Sequence, residues 1–406
     1  MTSPPPLAVH PTAPEQARPI RGRPSAFGRV RTLGAIGIQM MFHDKLKLVG
    51  TLFGVVFAVV LGNFQMGTFL SLLDKNQMFV ERSTDVDIWI TPPGTRQFQG
   101  GGTTLTDSQL NRARALPGVA WVEPLVLQTA ELKLPNGGTE PVTLAGTRAP
   151  RYIGRPWNQL KGDARLLELP DAVIFEDAER EKFGGLNRGS VRELSGHKVQ
   201  AVDFTWGLMP FAPAYAFAEQ TLAREILRYP ADKHTFLMVG VEPGEDRKAV
   251  RQRIQETLTD TKVMTREEYL KEIQNYILFS TQIGLSFGTS TFMGLLVGLI
   301  TVALSMFSSV VDNLRQFGTL KAIGATNTDL GALLFVQAVI YGLVGSLMGL
   351  GTVATLVSAM RNPQLTPILP PVAFLLTGVL MVGVCIAASV LALMRLRQLE
   401  PAMVFR

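Results

Sequence analysis

Asp312-Asn313-Leu314-Arg315-Gln316-Phe317-Gly318-Thr319-Leu320-Lys321-Ala322-Ile323-Gly324-Ala325-Thr326 lies between two long uncharged runs, Ile273 to Val311 before it and Leu330 to Met360 after it. A helix needs roughly 20 apolar residues to cross a bilayer, and each run is long enough. The polar piece is therefore expected to be a loop tied at both ends to membrane helices. Within it Phe317, Leu320 and Ile323 recur at helical spacing, Arg315 and Lys321 are cationic, and Gly324 stands where a helix would stop. The pattern predicts a short helix with an apolar stripe, placed to pass force between the membrane and a soluble partner.

Working outward, the composition agrees. Of 406 residues, 47% are hydrophobic and only 18% are charged, against about 25% charged in a typical soluble protein. The formal charge is +6, but the segment 74–272 is slightly acidic and the cationic excess lies outside it. Arg18, Arg21, Arg23, Arg29, Arg31, Lys45 and Lys47 precede the first apolar run, Arg315 and Lys321 sit in the loop, and Arg395, Arg397 and Arg406 close the chain. Lys and Arg near span ends are held on the cytoplasmic side. That pattern places both termini in the cytoplasm and argues against nucleic acid, which would need a basic face on a folded domain.

The apolar runs divide the chain. Residues 1–26 are proline-rich and read as a disordered cytoplasmic tail. Residues 27–47 mix Val30, Leu33, Ile36, Ile38, Met41 and Phe42 with basic residues, as an interfacial amphipathic helix does. A first transmembrane helix is expected over 48–73. It is too long and too far from Met1 for a cleaved signal peptide. An extracytoplasmic α/β domain fills 74–272, and 273–311 forms a stalk and second span. The coupling loop is 312–329, the third span 330–360, the fourth 371–394, and the cytoplasmic tail 395–406. The fold class is thus a membrane protein of four transmembrane α-helices with a mixed α/β domain inserted between the first and second.

Inside that domain, Val86 to Ile90 alternates like a strand. Thr106-Asp107 caps a helix to about Leu116, Pro117-Gly118 breaks it, and a strand follows from Val119 to Leu127. Asn136-Gly137-Gly138 and Ser195-Gly196 are hairpin signals. Thr235 to Val241 reads as a buried strand, followed by a charged helix to about Leu258. Thr265 and Glu268 form a capping box. No proline or glycine interrupts Arg266 to Ile283, so the helix that begins there is expected to run unbroken into the second span.

No catalytic site is expected. The four histidines, His10, His43, His197 and His234, lack metal-ligand spacing, and Cys385 is the sole cysteine. There is no G-x-x-x-x-G-K-[ST] loop, and Gly288-Thr289-Ser290-Thr291-Phe292 fails as a nucleophile elbow. The last three spans contain no ionisable side chain of the kind that relays protons or ions in coupled transporters. If a solute moves, another chain supplies the energy. Asn63, Gln65 and Gln337 are read as hydrogen-bonding between helices. The pairs Gly50/Gly54, Gly284/Gly288, Gly294/Gly298 and Gly345/Gly349 permit close helix packing and are read as support for a dimer.

The loop from Arg315 to Ala325 resembles the R-x-x-E-[FI]-G-x-x-[KR]-A-[IL]-G-A element of the FtsX/MacB-type ABC transporter permeases. So does the order of one span, a large extracytoplasmic domain and three spans, and the tail Arg395-Leu396-Arg397-Gln398-Leu399-Glu400-Pro401-Ala402 is similar to that family's ending. Phe183-Gly184-Gly185-Leu186 and Gly196-His197-Lys198-Val199 look most like the DevC group of four-span permeases. One departure stands out: Gln316 replaces the usual acidic residue. The resemblance implies a non-enzymatic permease subunit that binds no cofactor itself and works as a homodimer in the inner membrane, with ATP used by a separate ABC ATPase. Coupling would then fall to Arg315, Phe317, Gly318, Leu320, Lys321, Ile323 and Gly324, with Phe317, Leu320 and Ile323 seated in a groove of the ATPase. It further implies a periplasmic adaptor, an outer-membrane channel and export of an amphiphilic compound. The alternative is an FtsX-like regulator of cell-envelope enzymes that moves no solute.

Overall fold

The computed structural model describes residues 35, 37–96, 98, 103–207, 213–322, 325–360 and 367–397. The proline-rich tail, residues 27–34, Ile323, Gly324 and the Pro401-Ala402 ending fall outside them.

A short helix, α1 (residues 37–43), stops at Asp44, whose side chain caps α2 (Lys45–Arg82) by accepting from Lys47 N at 3.2 Å. Three more long helices follow the inserted domain: α7 (Gln282–Asp312), α9 (Asn327–Ala359) and α10 (Pro371–Arg397). All four are long and apolar enough to cross a membrane. In the bundle α2 lies between α7 and α9, and α10 closes the ring against the same two. A Cβ on Gly345 would stand 2.3 Å from Val55 and one on Gly349 2.7 Å from Val59, so only glycine lets α9 approach α2 this closely. Gly54 and Gly298 likewise face Thr301 and Ala58. These glycines, read from sequence as a dimer surface, serve packing within the chain. Asn63, 1% exposed, accepts from Thr377 Oγ1 at 3.2 Å and so joins α2 to α10.

The inserted domain has two sheets that share one strand. The first runs β11 (Lys262–Thr265), β1 (Ile88–Thr91), β10 (Phe236–Val241), β3 (Val119–Lys133). The second continues from β3 through β4 (Thr139–Thr147), β8 (Tyr215–Glu219), β5 (Ala172–Glu176), β7 (His197–Thr205) and β6 (Val191–Leu194). It curls until Leu194 pairs with Leu132, back on β3. The 15-residue β3 belongs to both: its first half pairs with β10, its second with β4. A small pair, β2 (Leu105–Thr106) with β9 (Lys233–His234), lies to one side. Four helices cover the sheets: α3 (Asp107–Arg114), α4 (Gln220–Leu227), α5 (Arg247–Thr257) and α6 (Arg266–Asn275). Thr106 and Thr265 cap α3 and α6 through complete capping boxes with Gln109 and Glu268.

Two arms join domain to bundle. The first is α2 itself. Its 38 residues span about 57 Å at 1.5 Å per residue, nearly twice the roughly 30 Å of a hydrocarbon core. Its tip enters the domain core, where Phe79 is fully buried. That ring stacks on Phe98 at 4.4 Å and touches Trp157 edge-on at 5.4 Å. Burial of such a side chain stabilises by roughly 1.5–3 kcal/mol, so the helix is anchored by its end.

The second arm is broken, contrary to the expectation of one helix from Arg266 into the span. After α6 the backbone widens into a π-turn, Tyr276–Ser280, in which Thr281 N donates five residues back to Tyr276 O at 3.1 Å. Thr281 is extended (φ −100°, ψ 153°), and α7 starts afresh at Gln282. Two local causes are visible. The Thr281 hydroxyl donates to Ile277 O at 2.7 Å, giving the backbone a rival to the regular ladder. Gly284 then lies so close that a Cβ would come within 2.2 Å of Leu278 O and 2.8 Å of Ile277 O. One threonine hydroxyl and one nearby glycine accompany the break, with no proline present.

Candidate coupling site at the distal end of the bundle

At the end of the bundle away from the domain, Asp312 closes α7 and the chain turns through α8 (Leu314–Ala322) into α9. Phe317 N donates to Asn313 O at 3.0 Å and Thr319 Oγ1 to Arg315 O at 2.8 Å. Beyond the turn, Thr326 caps α9 and receives Asp329 in a reciprocal box.

Phe317 is 3% exposed. It packs with Val310 of α7 and with Leu330, Leu333 and Leu334 of α9, while Met40 and Leu393 lie against the same cluster. The expectation that Phe317 faces outward into a partner's groove is therefore corrected: it faces inward and pins α8 to the bundle. Among the described side chains of α8, those that face out are Arg315, Gln316 and Thr319. Gly318 and Lys321 are half-buried. Leu320 lies within the helix, and Ile323 and Gly324 are outside the described residues. Among the described side chains, the outward surface is polar and cationic.

Contacts across the bundle hold this corner, and of these only the interhelical hydrogen bond of Gln337 was expected from sequence. Lys47, at the start of α2, forms an ion pair with Asp312 at the end of α7 and another, at 3.2 Å, with Asp44. The Lys47 backbone N–H also holds the Asp44 carboxyl below its ordinary pKa. Thr51 and Ser305 share a hydrogen bond between α2 and α7. Gln337 Nε2 donates to Gly37 O at 2.9 Å and ties α9 to α1. Lys47 reads in sequence as one more basic residue before a span. Only the pairing of span ends reveals its role.

In the inserted domain, His234 is 2% exposed. Its Nε2 lies 2.8 Å from Asp107 Oδ1, and its Nδ1 lies 2.8 Å from the Arg224 guanidinium. A guanidinium only donates, so Nδ1 accepts and the ring is neutral. Burial pushes its pKa down, the Asp107 hydrogen bond opposes that, and the Arg224 charge adds to it. The trio ties α3, α4 and β9 together. Among the described residues, no group of three or more His, Cys, Asp or Glu could hold a metal ion.

The FtsX-like permease C-terminal family matches residues 269–401, which includes α7 to α10 and the α8 corner. An uncharacterized ABC transporter permease from Methanocaldococcus jannaschii is 30% identical over 124 residues, 29% of this chain and 30% of that protein. The chain thus spans less than a third of that relative's length. Among solved structures, the periplasmic region of MacB from Actinobacillus actinomycetemcomitans is similar to 48% of this chain and 94% of its own, at 11% identity and a TM-score of 0.37. The extracellular domain of the noncanonic ABC-type transporter YknZ from Gram-positive bacteria covers 44% and 98%, at 13% identity and 0.31. At these scores neither tells what the domain does. The α8 corner and the last three apolar helices lie within the part of the chain, residues 269–401, that matches the FtsX-like permease C-terminal family.

Proposed function

We propose that the chain is the membrane subunit of a homodimeric ABC-type complex in which a separate ATPase pushes on α8 and the inserted domain, outside the membrane, moves in response. The observation that carries this reading is the inward anchoring of Phe317, which leaves Arg315, Gln316 and Thr319 on the outer face of a helix locked to the bundle. Force applied there enters α7 and α9 through the Phe317 cluster and crosses to α2 at the Lys47–Asp312 pair. The first span then carries it to the domain. The cargo on this reading is an amphiphilic compound handed to a periplasmic adaptor and an outer-membrane channel.

Two variants of α8 separate anchor from contact surface. Phe317→Ala empties a packed site, at a cost of about 3–5 kcal/mol, and is expected to lower thermal stability as well as ATPase retention. Arg315→Glu changes an exposed residue, so stability should stay within about 0.5 kcal/mol, while the ATPase should be lost in pull-down. Retention of the ATPase and full stimulation of hydrolysis by Arg315→Glu together with Thr319→Arg would remove this helix as the contact.

A further inference from the structure

Between β4 and the 3-10 turn Ala164–Glu168, the chain folds back over the tip of α2 and lines a cavity of about 740 Å³. Small-molecule sites commonly measure roughly 300–1,000 Å³. The loop is fixed at both ends. Thr147 Oγ1 donates to Ile153 O at 3.1 Å, and Gly162 N donates to Asp203 Oδ2 at 2.8 Å. Asp203 is itself 1% exposed and paired with Arg188. The cavity is therefore a built feature of the domain.

Its wall combines cations with aromatic rings. Arg151, Arg155 and Arg165 line it together with Tyr152 and Trp157. Arg151 leans 3.8 Å from Glu123 and 5.6 Å from the Trp121 ring. Arg155 and Arg165 are exposed, and neither guanidinium has an ion pair among the described residues. Two carboxylates share the wall, Asp163, which accepts from Arg165 N at 2.8 Å, and Glu168, so the guanidinium groups outnumber them. Tyr152 OH and Trp157 Nε1 are buried with no hydrogen-bond partner in the chain. Buried donors are normally satisfied, so two unmet ones on one wall point to a missing acceptor. Three guanidinium groups, two unmet donors and two apolar ring faces fit a ligand with an anionic group on an apolar body.

We propose that this cavity binds a small anionic amphiphile, its phosphate, sulfonate or carboxylate met by Arg155 and Arg165 and its apolar part lying on Trp157 and Tyr152. The site is one ring away from the first arm. Trp157 packs edge-on against Phe79 of α2, and a Cβ on Gly154 would come within 3.2 Å of the same ring. Occupancy is thereby felt at the end of the first span. The idea rests on the export reading only for the role of the ligand as cargo, since binding itself needs neither ATPase nor nucleotide.

The test uses the full chain in phosphatidylcholine nanodiscs, without ATPase, and titration calorimetry against empty nanodiscs. The probes are naphthyl phosphate, naphthylmethylammonium and inorganic phosphate. Naphthyl phosphate is expected to bind saturably and the ammonium analogue not to bind. Inorganic phosphate should bind at least about tenfold more weakly, for want of the apolar contact. The paired change Arg155→Gln and Arg165→Gln, at exposed positions, should weaken naphthyl phosphate by about tenfold or more. Equal binding of the two naphthyl probes, undiminished binding in the paired variant, or no saturable heat with the native chain would overturn the proposal. The sign comparison on the native chain decides even if the variant folds poorly. A negative result here leaves the α8 contact untouched, and loss of that contact leaves this site standing.

Discussion

The two arms between bundle and domain are built from opposite materials. The first is one 38-residue helix whose far end, Phe79, is buried among aromatic rings. The second is two helices with a π-turn and an extended Thr281 between them. On the proposed mechanism, the unbroken arm carries a tilt along its length and the interrupted arm lets the domain change its angle to the second span. A domain held by two stiff rods could hardly turn, and one held by two hinges would flop. On the proposed mechanism, one of each lets the domain rock on the bundle. The unbroken helix expected at the second span is found at the first.

Proline placement is the sharpest way to break this comparison. Asn76→Pro removes a backbone hydrogen bond in the uninterrupted part of α2, at about 3 kcal/mol or more, and should abolish stimulation of ATP hydrolysis in the assembled complex. Gln282→Pro should be nearly silent. It is the first residue of α7, where proline fits, and Thr281 before it already has the extended backbone that proline demands. Equal damage from both changes would mean that the arms are mechanically alike.

Gly284→Ala comes next. Its methyl group would collide with the Leu278 and Ile277 carbonyls, which are backbone and cannot rotate away. Overpacking of this kind costs about 1–3 kcal/mol. Spin labels at Lys271 and Thr289 should report an altered distance across the junction. An unchanged distance and unchanged melting would show that the close approach is not what sets the bend.

A smaller effect is expected where the arms touch. Gln274 Nε2 donates to Gln77 Oε1 at 2.8 Å, linking α6 to α2. A neutral hydrogen bond is worth about 0.5–1.5 kcal/mol. Gln274→Ala should lower the melting temperature slightly, and Gln77→Ala should add little more to it. Full additivity of the two would show that this contact does not join the arms.

The smallest effect lies in the domain that both arms enter. His234 is neutral when folded, with its pKa pushed below the usual value of about 6.5. The unfolded chain therefore takes up a proton first as pH falls. The His234 contribution to stability is present above about 6.5 and is lost as pH drops below it. His234→Gln should flatten the fall in melting temperature between pH 7 and 5, and an unchanged slope would refute the assignment.

Features with local causes were legible in the sequence. Thr106, Thr265 and the Ser195-Gly196 turn act through neighbours within a few residues, and each stands where its pattern placed it. The four spans were equally plain, because a bilayer reads length and charge alone. What depended on distant partners was not. Phe317 shows a helical stripe, but which side of α8 meets α9 is decided by residues such as Leu330 and Leu334. The break at Thr281 lacked its usual markers, and Gly284 betrays itself only when the carbonyls above it are in place. The cavity over α2 assembles from a loop with no motif of its own.

The central place of β1 has a consequence for how the chain is made. β1 pairs on one side with β10 and on the other with β11, both more than a hundred residues downstream. Phe79 likewise waits for Phe236 and Tyr269. At synthesis rates of about 5–20 residues per second, roughly 10–40 s pass between the emergence of Arg82 and that of Thr265. Through that interval the first span can already be inserted while its outer end displays Phe79 and Val80 to a core that is still incomplete. The nascent chain thus exposes to aggregation and proteolysis an anchor that the finished protein buries.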